Sequence, residues 1–201
     1  MPESFWHPML LIPEGWFGRY WVLLVSGVMT AALIAALLTD GRELGRRGYD
    51  IVAFELAGTP DVVNRIFSAW EADGRAVARR NVWLDFPFIL AYGVFFSTAC
   101  VACTKSAAAV GMFDPRIGVV LAWGVLAACL CDVIEDIALL SLFPSGTVPA
   151  ESPFPRVAQV AAITKFALLF ASWYYPIGVG VSVIPTFFIS QPSAPLPPQS
   201  N

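Results

Sequence analysis

An apolar run from Ile117 to Phe143 constrains this chain more than any other stretch of its sequence. The run is 27 residues long, so as a helix rising about 1.5 Å per residue it can cross a hydrocarbon core of about 30 Å. It nevertheless carries three acids, Asp132, Glu135 and Asp136, whose spacing puts them on one helix face. Each charge at mid-bilayer costs about 2.5–3.5 kcal/mol on insertion scales. This face is therefore expected to point into protein and not towards lipid.

The composition of the chain is that of a multi-pass membrane protein. Of its 201 residues, 57% are hydrophobic and 13% are charged, and the mean hydropathy is +0.68. Soluble domains have about 25% charged residues. No basic patch with interleaved aromatic residues is present, so nucleic acid is not an expected partner. The first apolar run is long enough to span, and we expect an uncleaved helix there, not a secretory signal.

The apolar runs predict an all-α membrane protein. Its core is a four-transmembrane-helix bundle over residues 20–175, with an amphipathic cytoplasmic helix and a Pro-rich C-terminal tail. The spans are expected at about 20–39, 82–103, 117–143 and 157–175. Within the first span, small residues recur every four positions and favour close helix approach; they are Gly27, Ala31 and Ala35.

A large polar region, residues 40–81, separates the first two spans. Its run Tyr49–Leu56 fits a strand or an interfacial turn. After it, Thr59 suits an N-cap and Pro60 suits the first helical position, which predicts a helix over about 60–72. One face of that helix is apolar, with Val62, Ile66, Phe67 and Trp70. Gly74 is expected to mark the bend into the second span.

The two ends of the chain lie outside the predicted bundle. Residues 1–19 are aromatic-rich and are expected at the membrane interface. In the C-terminal extension, residues 176–201, prolines and glycines interrupt 177–190, which fits a fifth span, a re-entrant segment or an interfacial extension; the Pro-rich tail follows. Large apolar residues at the ends are the expected partner contacts, namely Phe5, Trp6, Trp16, Phe187 and Phe188.

The basic residues predict the orientation of the bundle. Eight of them fall in 40–81 and in the loop that ends at Arg156, whereas three, Arg19, Lys105 and Arg116, fall on the opposite side. Positively charged loops are preferentially cytoplasmic. Loop 40–81 is therefore expected in the cytoplasm, with both termini on the other side of the membrane.

Counting helical rises from the predicted span ends places six polar side chains at similar depth in the cytoplasmic leaflet. They are Asp85, Tyr92, Asp132, Glu135, Asp136 and Lys165. Because four acids meet one lysine, some acids must be protonated, pair with a cation, reach water or accept a basic group from a partner. One interpretation is a structural pair of Lys165 with Asp132 or Asp136; a second is a proton or cation pathway. A third interpretation is a metal-dependent enzyme that uses Asp132-x-x-Glu135-Asp136 as ligands, but the sequence has no second acidic motif that would complete such a site.

No cofactor, metal or catalytic motif is expected from the sequence. Cys103 and Cys129 differ too much in depth for the four cysteines to form a thiolate site, and no predicted span contains a histidine for haem. A P-loop, a nucleophile elbow and a zincin motif are absent from the sequence. The chain is therefore expected to be non-enzymatic.

Three short motifs carry a resemblance to a known group of proteins. They are Phe54-Glu-Leu-Ala-Gly-Thr-Pro-Asp61, Trp83-Leu-Asp-Phe86 with Tyr92, and Asp132-x-x-Glu135. Over about residues 20–175 the chain resembles small bacterial four-span integral membrane proteins of unassigned function. The resemblance implies a bacterial source, and hence the inner membrane, and a four-helix bundle; it implies no activity.

Two functions of different class remain. We expect an accessory or structural subunit that packs laterally in a larger membrane complex, for example a respiratory or photosynthetic one. Its partners would then be the lipid bilayer and other membrane protein subunits. The alternative is a small proton- or cation-coupled transporter that uses the intramembrane acidic cluster.

Overall fold

The computed structural model describes residues 16–110, 114–144 and 146–189, and side chains over 21–104, at 114, and over 116–144 and 146–179. In chain order the helices are α1 (Trp16–Gly45), α2 (Ile51–Glu55), α3 (Pro60–Val110), α4 (Pro115–Leu140) and α5 (Phe154–Ile189). Within this part of the chain four helices are long and apolar enough to cross a membrane. The prediction of an all-α protein with four candidate spans is therefore confirmed.

The candidate spans lie at Trp21–Gly45, Pro60–Thr104, Arg116–Leu140 and Phe154–Val179. Large apolar side chains cover the outside of the bundle; on α4 alone they include Trp123, Leu130 and Ile137. Such an exterior suits lipid and not water.

Helix α3 is the centre of the bundle, because it packs against α1, α4 and α5, while α4 also packs against α5. Helix α1 lies at the side of α3. Arg80 of α3 pairs with the buried Asp40 of α1, and Nδ2 of Asn81 donates to the Leu37 carbonyl at 3.1 Å. These bonds hold α1 to α3 at the end of the bundle that carries the polar region.

The predicted small-residue stripe of α1 is not its packing face. Ala31 and Ala35 are exposed, and Gly27 alone approaches α3, where an added Cβ would lie 3.0 Å from the Phe95 ring. The buried side chains of α1 are instead Ser26, Thr30, Asp40 and Leu44. The Ser26 hydroxyl donates to the Val22 carbonyl, whereas Oγ1 of Thr30 has no hydrogen-bond partner among the described residues.

Helix α2 replaces the strand or turn expected at Tyr49–Leu56. Asp50 caps it, since its Oδ1 accepts from the Ala53 amide at 2.8 Å. The helix buries Phe54 and Glu55. An extended segment would have pointed these two neighbours to opposite faces.

Helix α3 is broken at Glu71, whose backbone lies at φ 54° and ψ −165°. This conformation is almost restricted to glycine. The chain therefore bends at Glu71, three residues before Gly74, where the sequence predicted the bend. Gly74 is helical and serves close packing, because an added Cβ there would lie 2.8 Å from Cβ of Trp70.

The segment of α3 before Glu71 closes the polar end of the bundle together with α2 and residues 146–153; we call this assembly the cap. Its buried apolar side chains are Phe54, Val63, Ile66, Phe67, Trp70 and Val148, and they pack against Leu139 and Leu142 at the end of α4. The Val148 amide donates to Oδ1 of Asn64 at 2.7 Å, and Nδ2 of Asn64 donates to the Val148 carbonyl at 3.0 Å. The cap thus covers the end of the bundle with a dense apolar core.

Helix α5 continues through Pro176, where the sequence predicted an interruption, and reaches Ile189. A proline removes one helical hydrogen bond, which helices in apolar surroundings tolerate when neighbouring groups compensate. Residues 177–189 therefore extend the fourth span as one helix and do not start a separate segment.

Candidate functional site

Four helices bring one group of polar side chains together directly beneath the cap. Asp85 and Tyr92 come from α3, Lys165 comes from α5, and α2 adds Glu55; α4 supplies Asp132, Glu135 and Asp136. We call the five acids with Lys165 and Tyr92 the carboxyl cluster. All six polar residues selected from the sequence belong to it.

The helical period of α4 explains why its three acids are inside. Ala128, Asp132, Glu135, Asp136 and Leu139 form its buried face, whereas Leu130, Ile134 and Ile137 are exposed. The acids occupy positions i, i+3 and i+4, one turn of helix. The expectation that this face avoids lipid agrees with the burial of all three carboxyl groups.

Lys165 is the centre of the ion pairs. Its Nζ lies 2.6 Å from Oδ1 of Asp132 and 2.8 Å from Oε2 of Glu135. Oε2 of Glu55 lies farther away, at 4.0 Å from the same nitrogen. The predicted pairing of Lys165 is therefore made with Asp132, and Glu135 shares the ammonium group.

Tyr92 fixes the other side of Asp132. The hydroxyl of Tyr92 donates to Oδ2 of Asp132 at 2.8 Å, and the tyrosine ring lies 5.0 Å from the ring of Phe88. Both oxygens of Asp132 thus accept a hydrogen bond, one from a hydroxyl and one from an ammonium group. Charge-assisted bonds of this kind fix the orientation of a carboxylate.

Glu55 is the member of the cluster that the sequence analysis missed. It lies in the polar region, far from any predicted span, and only the folding of α2 turns it towards Lys165. Burial raises the pKa of Glu55, and the positive charge of Lys165 opposes that rise. The available signal was local: Asp50 is a suitable helix N-cap, and an acid sits at the last position of the short apolar helix that follows.

Three acids of the cluster converge, and two of them form no ion pair with Lys165 in the described residues. Carboxylate oxygens of Asp85, Asp132 and Asp136 all lie within 4.8 Å of one another. Of these three, Asp132 alone forms an ion pair in the described part of the chain. The acids of the motif Asp132-x-x-Glu135-Asp136 therefore separate: Glu135 faces Lys165, and Asp136 faces Asp85 across the helix interface.

Several buried oxygens of the cluster have no hydrogen-bond partner among the described residues. They are Oδ2 of Asp136 and both oxygens of Glu135, whose 2.8 Å contact with Lys165 is an ion pair without hydrogen-bond geometry. Buried polar atoms without partners are uncommon in folded proteins. An additional donor or a cation would satisfy them.

The cysteines lie at different levels of the bundle, as the sequence predicted. The Cys100 thiol lies 3.7 Å from the Ser172 carbonyl, and the Cys129 thiol lies 3.7 Å from the Ile89 carbonyl. All four cysteines are free. Each of these two thiols therefore packs against a backbone carbonyl of a neighbouring helix.

The expected partner-contact residues cannot be placed against this site. Phe5 and Trp6 lie outside the described residues. Trp16, Phe187 and Phe188 lie in α1 and α5, but their side chains are outside the described part.

Comparison with protein-family models, with curated proteins and with solved structures finds no match to this chain. The resemblance to small bacterial four-span proteins stays a prediction.

Proposed function

We propose that this chain is a non-enzymatic membrane protein that binds and moves small cations through the carboxyl cluster. The observation that supports this most is the imbalance of charge: five carboxyl groups surround one ammonium group inside the bundle. Of the two functions expected from the sequence, this is the transporter and not the accessory subunit.

The physical argument is the cost of burying unpaired charge. A carboxylate removed from water loses several kcal/mol of solvation even after the protein relaxes, and a bound proton or another cation must offset that loss. Lys165 serves Asp132 and Glu135 directly, which leaves Asp85, Asp136 and the more distant Glu55. Small cations are the simplest partners for the remaining acids, and intramembrane acids commonly mark ion pathways.

The position of the cluster defines the side of the membrane with which it would exchange ions. It lies beneath the cap, and Glu55 connects it to the polar region at that end. By the distribution of basic residues we place this end in the cytoplasm and both termini on the opposite side. The resemblance to small bacterial four-span proteins implies that the membrane is a bacterial inner membrane. Because the cap covers this end with a dense apolar core, cations would enter and leave only when α2 or another part of the cap moves.

The accessory-subunit function has one observation in its favour. Helix α1 lies at the side of the bundle, and its outward face carries large exposed apolar side chains, among them Trp21, Leu24, Val28 and Leu38. Such a face fits a neighbouring membrane subunit, but lipid fits it equally well. Replacing Leu24 and Val28 with alanine would test it, because loss of a co-purifying complex from an intact bundle would favour this function.

Ion flux into liposomes is the direct test of transport. Gradients of protons, alkali ions and divalent ions are imposed in turn across liposomes that contain the full-length protein. We expect flux of at least one of these cations. Asp85→Asn or Asp136→Asn should abolish that flux. Asp61→Asn is the matched control, because Asp61 is an exposed acid in the first turn of α3. No flux of any of these ions through the folded wild-type protein would overturn the proposal, as would wild-type flux through both cluster variants.

A further inference from the structure

We propose that Asp85, Asp132 and Asp136 form a binding site for a divalent cation of the size of Ca²⁺. The site joins α3 to α4 beneath the cap. The inference names the ion for the transport function proposed above, and it rests on that function for its physiological meaning. Binding itself is a separate property and is tested separately.

The spacing of the oxygens is the first argument. Ligand oxygens of the three acids lie within 4.8 Å of one another. Two oxygens on opposite sides of a Ca²⁺ ion are about 4.6–5.2 Å apart, twice the usual ligand distance, whereas around Mg²⁺ they are about 4.0–4.2 Å apart. The upper bound of 4.8 Å admits both ions, but Ca²⁺ accepts oxygen ligands in flexible geometry, whereas Mg²⁺ requires a near-ideal octahedron. Three carboxylates from two helices therefore suit a Ca²⁺-sized ion better, with water completing the shell.

The unsatisfied oxygen of Asp136 is the second, independent argument. Asp136 is 2% exposed, and its Oδ2 has no hydrogen-bond partner in the described part of the chain. Its carboxylate belongs to the converging group. The Asp136 carboxyl group therefore faces two other acids and has a buried oxygen without a donor, and a cation supplies what is missing.

The arrangement of Lys165 leaves room for this ion. The ammonium group is within 4.0 Å of Asp132, Glu135 and Glu55, but it forms no ion pair with Asp85 or Asp136 in the described residues. The protein's own cation therefore neutralises one side of the cluster. The other side, where Asp85 and Asp136 meet, has no positive charge of its own.

Asp132 belongs both to the side of the cluster that Lys165 neutralises and to the side where Asp85 and Asp136 meet, and hydrogen bonds fix the orientation of its carboxylate. Tyr92 and Lys165 each donate a hydrogen bond to one of its oxygens. An ionised carboxylate has about four acceptor positions, so these two bonds leave capacity for a metal bond. Hydrogen bonds from a second layer of residues typically orient metal ligands in this way.

The test is Ca²⁺ binding by the full-length protein in mild detergent, measured by equilibrium dialysis with radioactive Ca²⁺. We expect one saturable site per chain, weakened about tenfold or more by Asp85→Asn and by Asp136→Asn. Asp61→Asn should bind like the wild type, because Asp61 is exposed and far along α3 from the site. Circular dichroism would show that each variant is folded.

A second measurement needs no variant. Saturating Ca²⁺ should raise the thermal unfolding midpoint of the wild type, because an ion that binds the folded state stabilises it by mass action. Absence of saturable Ca²⁺ binding, or unchanged affinity in Asp85→Asn, would overturn the site. If Mg²⁺ displaces the bound radioactive Ca²⁺ as well as unlabelled Ca²⁺ does at the same concentration, the assigned ion size is wrong.

These outcomes separate the site from transport. Ca²⁺ binding without flux of any ion would leave the site standing and remove the transport function. Flux that depends on Asp85, in a protein that does not bind Ca²⁺, would remove the site and leave transport of another ion.

Discussion

The ammonium group of Lys165 lies 2.6 Å from Oδ1 of Asp132, and both side chains are almost completely buried inside the bundle. The pair joins α5 to α4, and through Tyr92, which bonds the other oxygen of Asp132, it reaches α3. Three candidate spans therefore meet at one carboxylate. A buried pair of this kind does more to define the helix register than to add net stability.

Removing one partner of this pair should destabilise the bundle strongly. Lys165→Met should lower the free energy of unfolding by about 3–5 kcal/mol, because it leaves buried carboxylates without their countercharge. The double variant Lys165→Met with Asp132→Asn should recover part of the loss. A double-mutant cycle in mixed micelles, followed by circular dichroism, measures the coupling.

The surface pair Arg47–Glu43, with a 3.5 Å contact, is the matched control for that cycle. Its coupling should be about 0.3–0.5 kcal/mol, because solvent still screens a half-buried pair one turn apart on a helix. A coupling between Lys165 and Asp132 no larger than this would contradict the buried pair.

The hydroxyl of Tyr92 should contribute through its bond to Asp132. Tyr92→Phe keeps the ring and removes the donor, and we expect a loss of about 1.5–3 kcal/mol, typical of a hydrogen bond to a charged group. Tyr174→Phe is the control, since Tyr174 is exposed and its ring contact with Phe170 survives the change. Equal stabilities of the two variants in micelle unfolding would argue against the bond.

Close contact between α3 and α4 should make Gly93 sensitive to a methyl group. An added Cβ would lie 2.7 Å from Sγ of Cys129, so Gly93→Ala should cost about 1–3 kcal/mol of overpacking. Adding Cys129→Ala should relieve most of that cost. At Gly41 of α1 the nearest atom is 3.9 Å away, so Gly41→Ala should stabilise the helix by about 0.5–1 kcal/mol. If both alanines have the same effect, the close approach is wrong.

The break in α3 should be relieved by glycine. Glu71 has φ 54° and ψ −165°, a conformation that costs other residues about 1–3 kcal/mol, so Glu71→Gly should stabilise the protein by about 1 kcal/mol or more. The neighbouring Ala72→Gly should instead destabilise it by about 0.5–1 kcal/mol, because Ala72 is helical. Thermal unfolding distinguishes the two signs, and a destabilised Glu71→Gly variant would contradict the strained backbone.

The orientation can be tested with cysteines at two positions that the sequence predicts on opposite sides of the membrane. Ser68 is exposed on the cap, which we expect in the cytoplasm, so an impermeant thiol reagent should not reach Ser68→Cys in intact cells. Ser193→Cys, which is expected on the outer side, should react. The unsubstituted protein controls for the four native cysteines. The reverse pattern would place the cap, and with it the entry to the carboxyl cluster, on the outer side.

The sequence determined the properties that depend on a single helix. Hydropathy over 20 or so residues located the four candidate spans, because any helix that crosses a bilayer must be apolar over its length. The 3.6-residue period put Asp132, Glu135 and Asp136 on one face of α4, and depth counting brought Lys165 and Tyr92 to the same level. Neither inference required knowledge of a neighbouring helix's side chains.

Only the tertiary structure decided which side chains meet. It selected Asp132 and Glu135 for Lys165, directed Asp136 to Asp85, and brought Glu55 in from the polar region through α2. It also gave α1 a packing face different from its small-residue stripe. Helix rotation and the path of a short connecting segment are set by the sum of many packing contacts, and no local pattern of residues contains that sum.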